Sequence, residues 1–201
     1  MAPHIEIILG SIREGRAGER VARWIHGLAS RRADLEAALI DLKEWPLPIY
    51  ANAANPKQAE TRYEDPLARA WYERITRADG FVIVTAEYNF GYPPALKNAL
   101  DYLYAPWNNK PAAFVSYGGT SGGVRAVQQL RQVVIELQMA PIRAEVNIPF
   151  ISRAFGEQGE PLDPLHAKRA AAMFDQLAWW ATVLREGRER HPLAPPAQAR
   201  A

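Results

Sequence analysis

Residues Ile8–Ile25 read ILGSIREGRAGERVARWI. An apolar run closes at Leu9, and beyond the turn Val21, Trp24, Ile25 and Leu28 recur at the spacing of one helical face. A strand that passes through a short turn into a helix is the opening of a βαβ unit. The turn itself holds Gly10, Gly15 and Gly18, the hydroxyl of Ser11, and the cations Arg13 and Arg16. Glycine admits positive φ and lets backbone approach a ligand closely. A helix start offers unpaired N–H groups and a partial positive charge, which together favour an anion. Arg13 and Arg16 can neutralise a phosphate dianion with forked hydrogen bonds. The turn therefore reads as a phosphate site; a basic surface loop is the competing reading, since short Gly/Arg loops are common.

Working outward, strands and helices alternate. Strands are expected over His4–Leu9, Leu35–Leu42, Gly80–Tyr88, Pro111–Gly119 and Pro141–Ile148. Helices are expected over Gly18–Arg31, Pro66–Ala78, Pro93–Ala105, Gly122–Gln138 and Asp163–Arg190, with Asp65 as an N-cap before a proline at the first helical position. Such alternation implies an α/β fold with a parallel sheet covered on both faces. Five strands suit the flavodoxin-like order 2-1-3-4-5, with ligands at the carboxyl ends of the strands. At 201 residues one domain is expected, over 1–190, with 191–201 (HPLAPPAQARA) a mobile tail.

Composition narrows the chemistry. There is no cysteine, which excludes disulfides, thiolate nucleophiles and zinc–thiolate sites. Strand-like sequence follows Met1 at once, and no apolar run approaches the ~18–20 residues of a membrane span. The net charge of +2 gives no strong field for nucleic acid or membrane, so a soluble cytoplasmic protein is expected. His4, His26, His166 and His191 show no metal-ligand spacing, and no G-x-S-x-G elbow is present.

In the expected topology the loops after strands one, three and four meet at one edge. The P-loop pattern fails at Arg16-Ala17, and G-x-G-x-x-G is absent. Asp41 could mimic a ribose-binding acid, which keeps a Rossmann reading open. The third loop brings Glu87, Tyr88, Asn89 and Phe90; the fourth brings Ser116, Tyr117, Gly118 and Gly119. Backbone amides and aromatic faces of this kind suit a flat, hydrogen-bonding heterocycle. One phosphate anchor beside one flat slot points to a mononucleotide such as FMN, while half-buried packing is the plainer role for Tyr88, Phe90 and Tyr92.

The combination GSIREGR after strand one, EYNFGYPPALKNALDYL after strand three and SYGGTSGG after strand four resembles the NADPH-dependent FMN reductase family, over residues 4 to 150. The resemblance implies Ser11, Arg13, Arg16 and Gly18 for the FMN phosphate. It places Glu87, Tyr88, Asn89 and Phe90, with Ser116, Tyr117, Gly118 and Gly119, near the isoalloxazine ring. It also implies a reductase in which bound FMN relays hydride from NADPH or NADH to a small acceptor: a quinone, azo compound, metal oxyanion or free flavin. No catalytic side chain and no metal are required. A flavodoxin-like electron carrier and a binding module without flavin are the alternatives. The family resemblance further implies a homodimer or homotetramer. The third helix carries Leu96, Leu100, Tyr102, Leu103 and Tyr104, with Trp107 beyond, more than one face can bury. The excess either meets a partner or lies under the long segment from Lys43 to Glu64. Tyr50 in that segment is expected either to line the acceptor slot or to pack on Trp45.

Overall fold

The protein is described by a computed structural model over residues 1–57, 63 and 65–192. Part of the long segment, 58–62 and 64, and the expected tail from 193 onward lie outside the described residues. The chain runs β1 (His4–Leu9), α1 (Gly18–Ala29), β2 (Glu36–Asp41), α2 (Pro66–Arg77), β3 (Gly80–Ala86), α3 (Pro94–Asp101), β4 (Pro111–Tyr117), α4 (Val124–Glu136), β5 (Ala140–Ile148) and α5 (Pro164–Arg190). All strand pairs are parallel and the order is β2-β1-β3-β4-β5, as the alternation predicts.

Side chains alternate across the pleat and split the core in two. Ile5, Ile7, Leu9, Val82 and Val84 face α1 and α5. Ile8, Phe81, Ile83 and Phe114 face α2, α3 and α4. Helix starts follow the sequence signals. Asp65 accepts from the Ala68 amide at 2.8 Å and Asp163 from the Leu165 amide at 2.8 Å, each with proline next in the chain. Gly27 sits inside α1, where glycine costs about 1 kcal/mol relative to alanine. A Cβ there would meet nothing within 4 Å, so no packing among the described residues requires it.

Several boundaries differ from expectation by a few residues, among them β4, which stops at Tyr117, and α4, which spans only Val124–Glu136. β3 stops at Ala86, because Tyr88 and Gly91 close a turn on each other. α1 ends at Ala29, before the expected Arg31. α3 ends at Asp101, and a 3-10 turn over Ala105–Trp107 brings Trp107 back into the core. There its indole donates to the Leu100 carbonyl at 3.1 Å and packs edge-on to Phe81 and Trp71.

The excess apolar surface expected on α3 is covered by its own chain. Leu96, Leu100, Tyr102, Leu103 and Trp107 are all buried. The segment after β2 is stitched across them: Asn98 donates to the carbonyls of Leu47 and Pro48, and the Tyr102 hydroxyl donates to Pro48 at 2.7 Å. Tyr50 packs edge-on against Tyr102 rather than on Trp45, and its hydroxyl donates to Ala54. On α5, Trp180 packs on the core while Trp179 is 60% exposed.

At the foot of β4, Lys110 is buried and donates to the carbonyls of Ile75 and Thr76, each at 2.9 Å, so it caps the end of α2 from inside. Burial, reinforced by nearby Arg188, lowers its pKa to about 7. No described helix is long and apolar enough to cross a membrane.

Candidate functional site

Leu9 pairs with Val84, and Ala86 with Tyr117, so the three loops leave the sheet side by side. The first loop turns at Gly15, whose φ of 63° is left-handed. Among the described residues, the backbone amides of Glu14 to Ala17 have no acceptor. α1 also starts without a side-chain cap, so its first donors are left for something else. The acids of this loop are already neutralised: Glu14 by Lys43 at 2.8 Å, and Glu19 by Arg16 and Arg23. The donor set that remains suits an anion.

The expected phosphate residues divide. Ser11 is buried, with its Oγ 2.6 Å from the hydroxyl of Tyr88, and Arg13 is exposed with its guanidinium 6.0 Å from the centre of the Tyr88 ring. Arg13 has no carboxylate partner among the described residues. Arg16 is turned inward instead. It donates to Asp41, to Glu19 and to the carbonyl of Ser11. Burial works against its charge, but the hydrogen bonds to Asp41 and Glu19 outweigh that and hold its pKa above the ordinary value. Arg16 thus braces the loop against the end of β2. Asp41 is occupied by the same contact, and the strand order is not that of a Rossmann sheet, which closes that reading. Gly18 is required by packing: a Cβ there would lie 2.2 Å from the hydroxyl of Tyr117.

Tyr117, expected beside the ring, therefore places its hydroxyl beneath the first loop. It is buried without a hydrogen-bond partner, and burial pushes its pKa up. In the third loop, the Tyr88 amide donates to Gly91 at 2.8 Å and the Gly91 amide returns the bond at 3.0 Å. This forces Asn89 and Phe90 into left-handed conformation, with φ of 49° and 73°. Such backbone costs on the order of 1–3 kcal/mol per residue and concentrates at functional sites. Phe90 is 60% exposed, and the Arg125 guanidinium lies 3.8 Å over its ring.

Glu87 faces away from the open slot. Its buried carboxylate accepts from the Ser121 hydroxyl at 3.0 Å and from the amide and Nε of Arg125 at 3.2 and 2.6 Å. Burial would raise its pKa, but the bonds from Arg125 and Ser121 prevail and lower it. Glu87 latches the third loop to the fourth. Ser116 is likewise beneath its loop, donating to the Gly122 carbonyl at 2.7 Å and accepting from Asn147. The Gly118 amide is spent on Ile148. Gly119 is exposed, and its amide, like those of Asn89, Phe90, Thr120 and Ser121, has no acceptor among the described residues. Arg125 is the residue that sequence reasoning missed. Its signal was Glu87 itself, a carboxylate among aromatics that needs a cation, together with the glycine pair opening α4.

Residues 3–152 match the NADPH-dependent FMN reductase family. The chain is 38% identical over 151 residues to an NAD(P)H-dependent FMN reductase of Schizosaccharomyces pombe, covering 74% of this chain and 75% of the relative. It is 32% identical over 187 residues to a 2-hydroxy-1,4-benzoquinone reductase of Burkholderia, covering 90% and 97%. Its fold is shared with the flavoenzyme NAD(P)H:(acceptor) oxidoreductase FerB of Paracoccus denitrificans, at a TM-score of 0.72 and 22% identity over 90% of this chain and 98% of that one. With three adjoining loops that combine unpaired amides, a cationic turn and the exposed Phe90, and with this extent of match, the chain belongs to the NADPH-dependent FMN reductase family.

Proposed function

We propose that the protein is an FMN-dependent NAD(P)H oxidoreductase acting on small acceptors, quinones among them, and that residues 1–190 form one FMN-binding domain. The observation that carries this is the first loop: four consecutive unpaired amides beside an unpaired Arg13, with every neighbouring acid neutralised. Arg13, Ser11 and the amides of Glu14 to Ala17 would hold the phosphate, with Arg16 and Gly18 shaping the turn. Tyr88, Asn89, Phe90 and Gly119 would hold the ring, with Glu87, Ser116, Tyr117 and Gly118 fixing those loops. Bound there, FMN supplies hydride transfer between a nicotinamide and an acceptor. The protein's own part is to bind, orient and cover the cofactor.

The purified protein should take up about one FMN per chain, and FMN-loaded protein should oxidise NADPH in the presence of a quinone. FAD and riboflavin should bind more weakly, because the turn fits one terminal phosphate. Equal affinity for FAD and FMN would overturn the assignment of the turn.

Glu87 provides a separate check. Glu87→Gln removes a charged acceptor from two partners, and hydrogen bonds to charged groups are worth about 1.5–3 kcal/mol. FMN and riboflavin affinities should fall together, by roughly tenfold, because the latch holds the ring loops and not the phosphate turn. A loss confined to FMN, measured by fluorescence titration of both ligands, would place Glu87 elsewhere.

We also propose that the chain works as a homodimer or homotetramer in the cytoplasm. The absence of cysteine supports the compartment. Trp179 and Val183, exposed one turn apart on α5, offer apolar surface to a second copy. Light scattering at micromolar concentration tests the assembly, and a monomer mass would end it.

A further inference from the structure

A pocket of about 160 Å³ lies where the segment after β2 passes between the first loop and α3. Ile12 of the loop, Leu42, Trp45 and Leu47 of the segment, and Ala95 in the first turn of α3 wall it. These walls are fixed. Trp45 packs on the buried Trp71 with ring centres 5.2 Å apart, and Pro46 restricts the backbone between Trp45 and Leu47. Asn98 pins the segment to α3 through the carbonyls of Leu47 and Pro48. A Cβ on Gly10 would lie 2.9 Å from Leu96, so the first loop and α3 meet without a gap beside the pocket.

The lining calls for hydrocarbon. Its two hydrophilic side chains are already engaged. Lys43 donates to Glu14 at 2.8 Å. Asn98 accepts from the Tyr50 amide at 2.9 Å and donates to the carbonyls of Leu47 and Pro48 at 3.1 and 2.9 Å. A group that enters therefore gains chiefly by leaving water. An apolar cavity of about 150 Å³ holds one benzene, so this pocket matches one six-membered ring. It also borders the cofactor loops directly: Ile12, 48% exposed, stands between Ser11 and Arg13, and α3 follows the third loop.

We infer that this pocket takes the hydrocarbon flank of the electron acceptor, the fused benzo ring of a naphthoquinone-type compound, and leaves the carbonyl-bearing ring toward the loops. The inference rests on the reductase reading above and narrows its acceptor. Fused-ring quinones are favoured over single-ring quinones, and over metal oxyanions, which have no hydrocarbon to bury. Within the segment after β2 the acceptor contact falls to Trp45 and Leu47. Tyr50, the residue expected to make it, lies against Tyr102 instead.

The test uses FMN-loaded protein with 1,4-naphthoquinone and 1,4-benzoquinone as acceptors. Each variant is compared with wild type on each quinone, so the intrinsic reactivity of the two acceptors cancels. Ala95→Leu fills the pocket and keeps a good helix former. It should lower kcat/KM for naphthoquinone at least tenfold, and leave kcat/KM for benzoquinone, the FMN dissociation constant and the melting temperature unchanged. Ile12→Ser, at an exposed loop position where folding is not at risk, should lower kcat/KM for naphthoquinone alone. A reading without turnover comes from 1-naphthol, which carries the fused rings but accepts no hydride. By calorimetry it should bind Ala95→Leu at least tenfold more weakly than wild type. Parallel losses on both quinones, wild-type kinetics in both variants, or equal 1-naphthol affinity in wild type and Ala95→Leu would each overturn the assignment of the pocket. Wild-type protein that binds FMN but reduces neither quinone would overturn the reductase reading itself, and this inference with it.

Discussion

Replacing Arg13 by alanine should weaken FMN binding ten- to a hundredfold and leave riboflavin binding almost unchanged. The lost bond is charge-assisted and worth about 1.5–3 kcal/mol. Arg13 is exposed and packs only loosely on Tyr88, so the fold has little to lose. Arg16→Ala should act through the fold instead. Arg16 is buried and faces Asp41, so its removal strands a partly buried carboxylate. Breaking a buried pair from one side costs about 3–5 kcal/mol, and the partial exposure of Asp41 puts this case near the lower end. The outcome should be a lower urea midpoint, which Arg13→Ala does not show, with FMN affinity reduced more than riboflavin affinity because the turn that Arg16 braces is the one that meets the phosphate. Fluorescence titration of both ligands, set beside urea unfolding, separates the two arginines. Equal loss of FMN and riboflavin in Arg13→Ala would remove Arg13 from the phosphate site.

Stability should rise between pH 7 and about pH 9.5, by up to about 1.4 kcal/mol per pH unit. The cause is Lys110. Its folded pKa is about 7, while the unfolded chain titrates near 10.4. Between those values the unfolded state binds the extra proton, so raising the pH favours the folded state. Below pH 7 both states are charged, and the full cost of burying the ammonium is felt. The groups around it are Asp79, which favours the charge, Arg188, which opposes it, and the Phe81 ring 5.8 Å away. Above pH 10 the half-buried Tyr63 and the buried Tyr117, whose pKa values are raised by burial, reverse the trend. His4, with a pKa raised chiefly by its hydrogen bond to Glu6, loses its contribution as pH climbs through neutrality, so the comparison is made against Lys110→Met. Urea unfolding at pH 7, 8 and 9 should show the rise in the wild type and no rise in the variant. A slope of the same size in both would assign it elsewhere.

The frame of this fold was legible because local signals and global order agree. Apolar strands such as His4–Leu9 and proline-opened helices such as Pro66–Arg77 announce themselves, and right-handed parallel crossovers then leave few orders to choose from. The three loops were legible for the same reason, since strand ends define them. What each loop residue does was not. Arg16 and Arg13 stand three positions apart in one basic turn, and only the location of Asp41, at the end of another strand, turns one of them inward. Glu87 reads as a slot residue until Arg125 is found beside it, 38 positions along the chain. Ser116 and Tyr117 are adjacent in β4 and so point to opposite faces, one under its own loop and one under the first. Composition around a site is local; the partner that claims a side chain is not.

The strand order has a cost in time. β1 sits between β2 and β3, and its fully apolar stretch Ile7–Leu9 needs both neighbours. β2 ends at Asp41, but β3 is complete only at Ala86. At the usual pace of synthesis, about 5–20 residues per second, one edge of a strand that ends in the apolar run Ile7–Leu9 therefore waits roughly 2–9 s for its partner. Over that interval the nascent chain presents an open, apolar template, the kind of edge that captures other chains. Production of this protein should therefore respond to translation speed and holdase supply, and not to the stability of its finished core alone. Slowing synthesis between Asp41 and Ala86 lengthens the dangerous interval, and should lower soluble yield more than the same delay placed after β4.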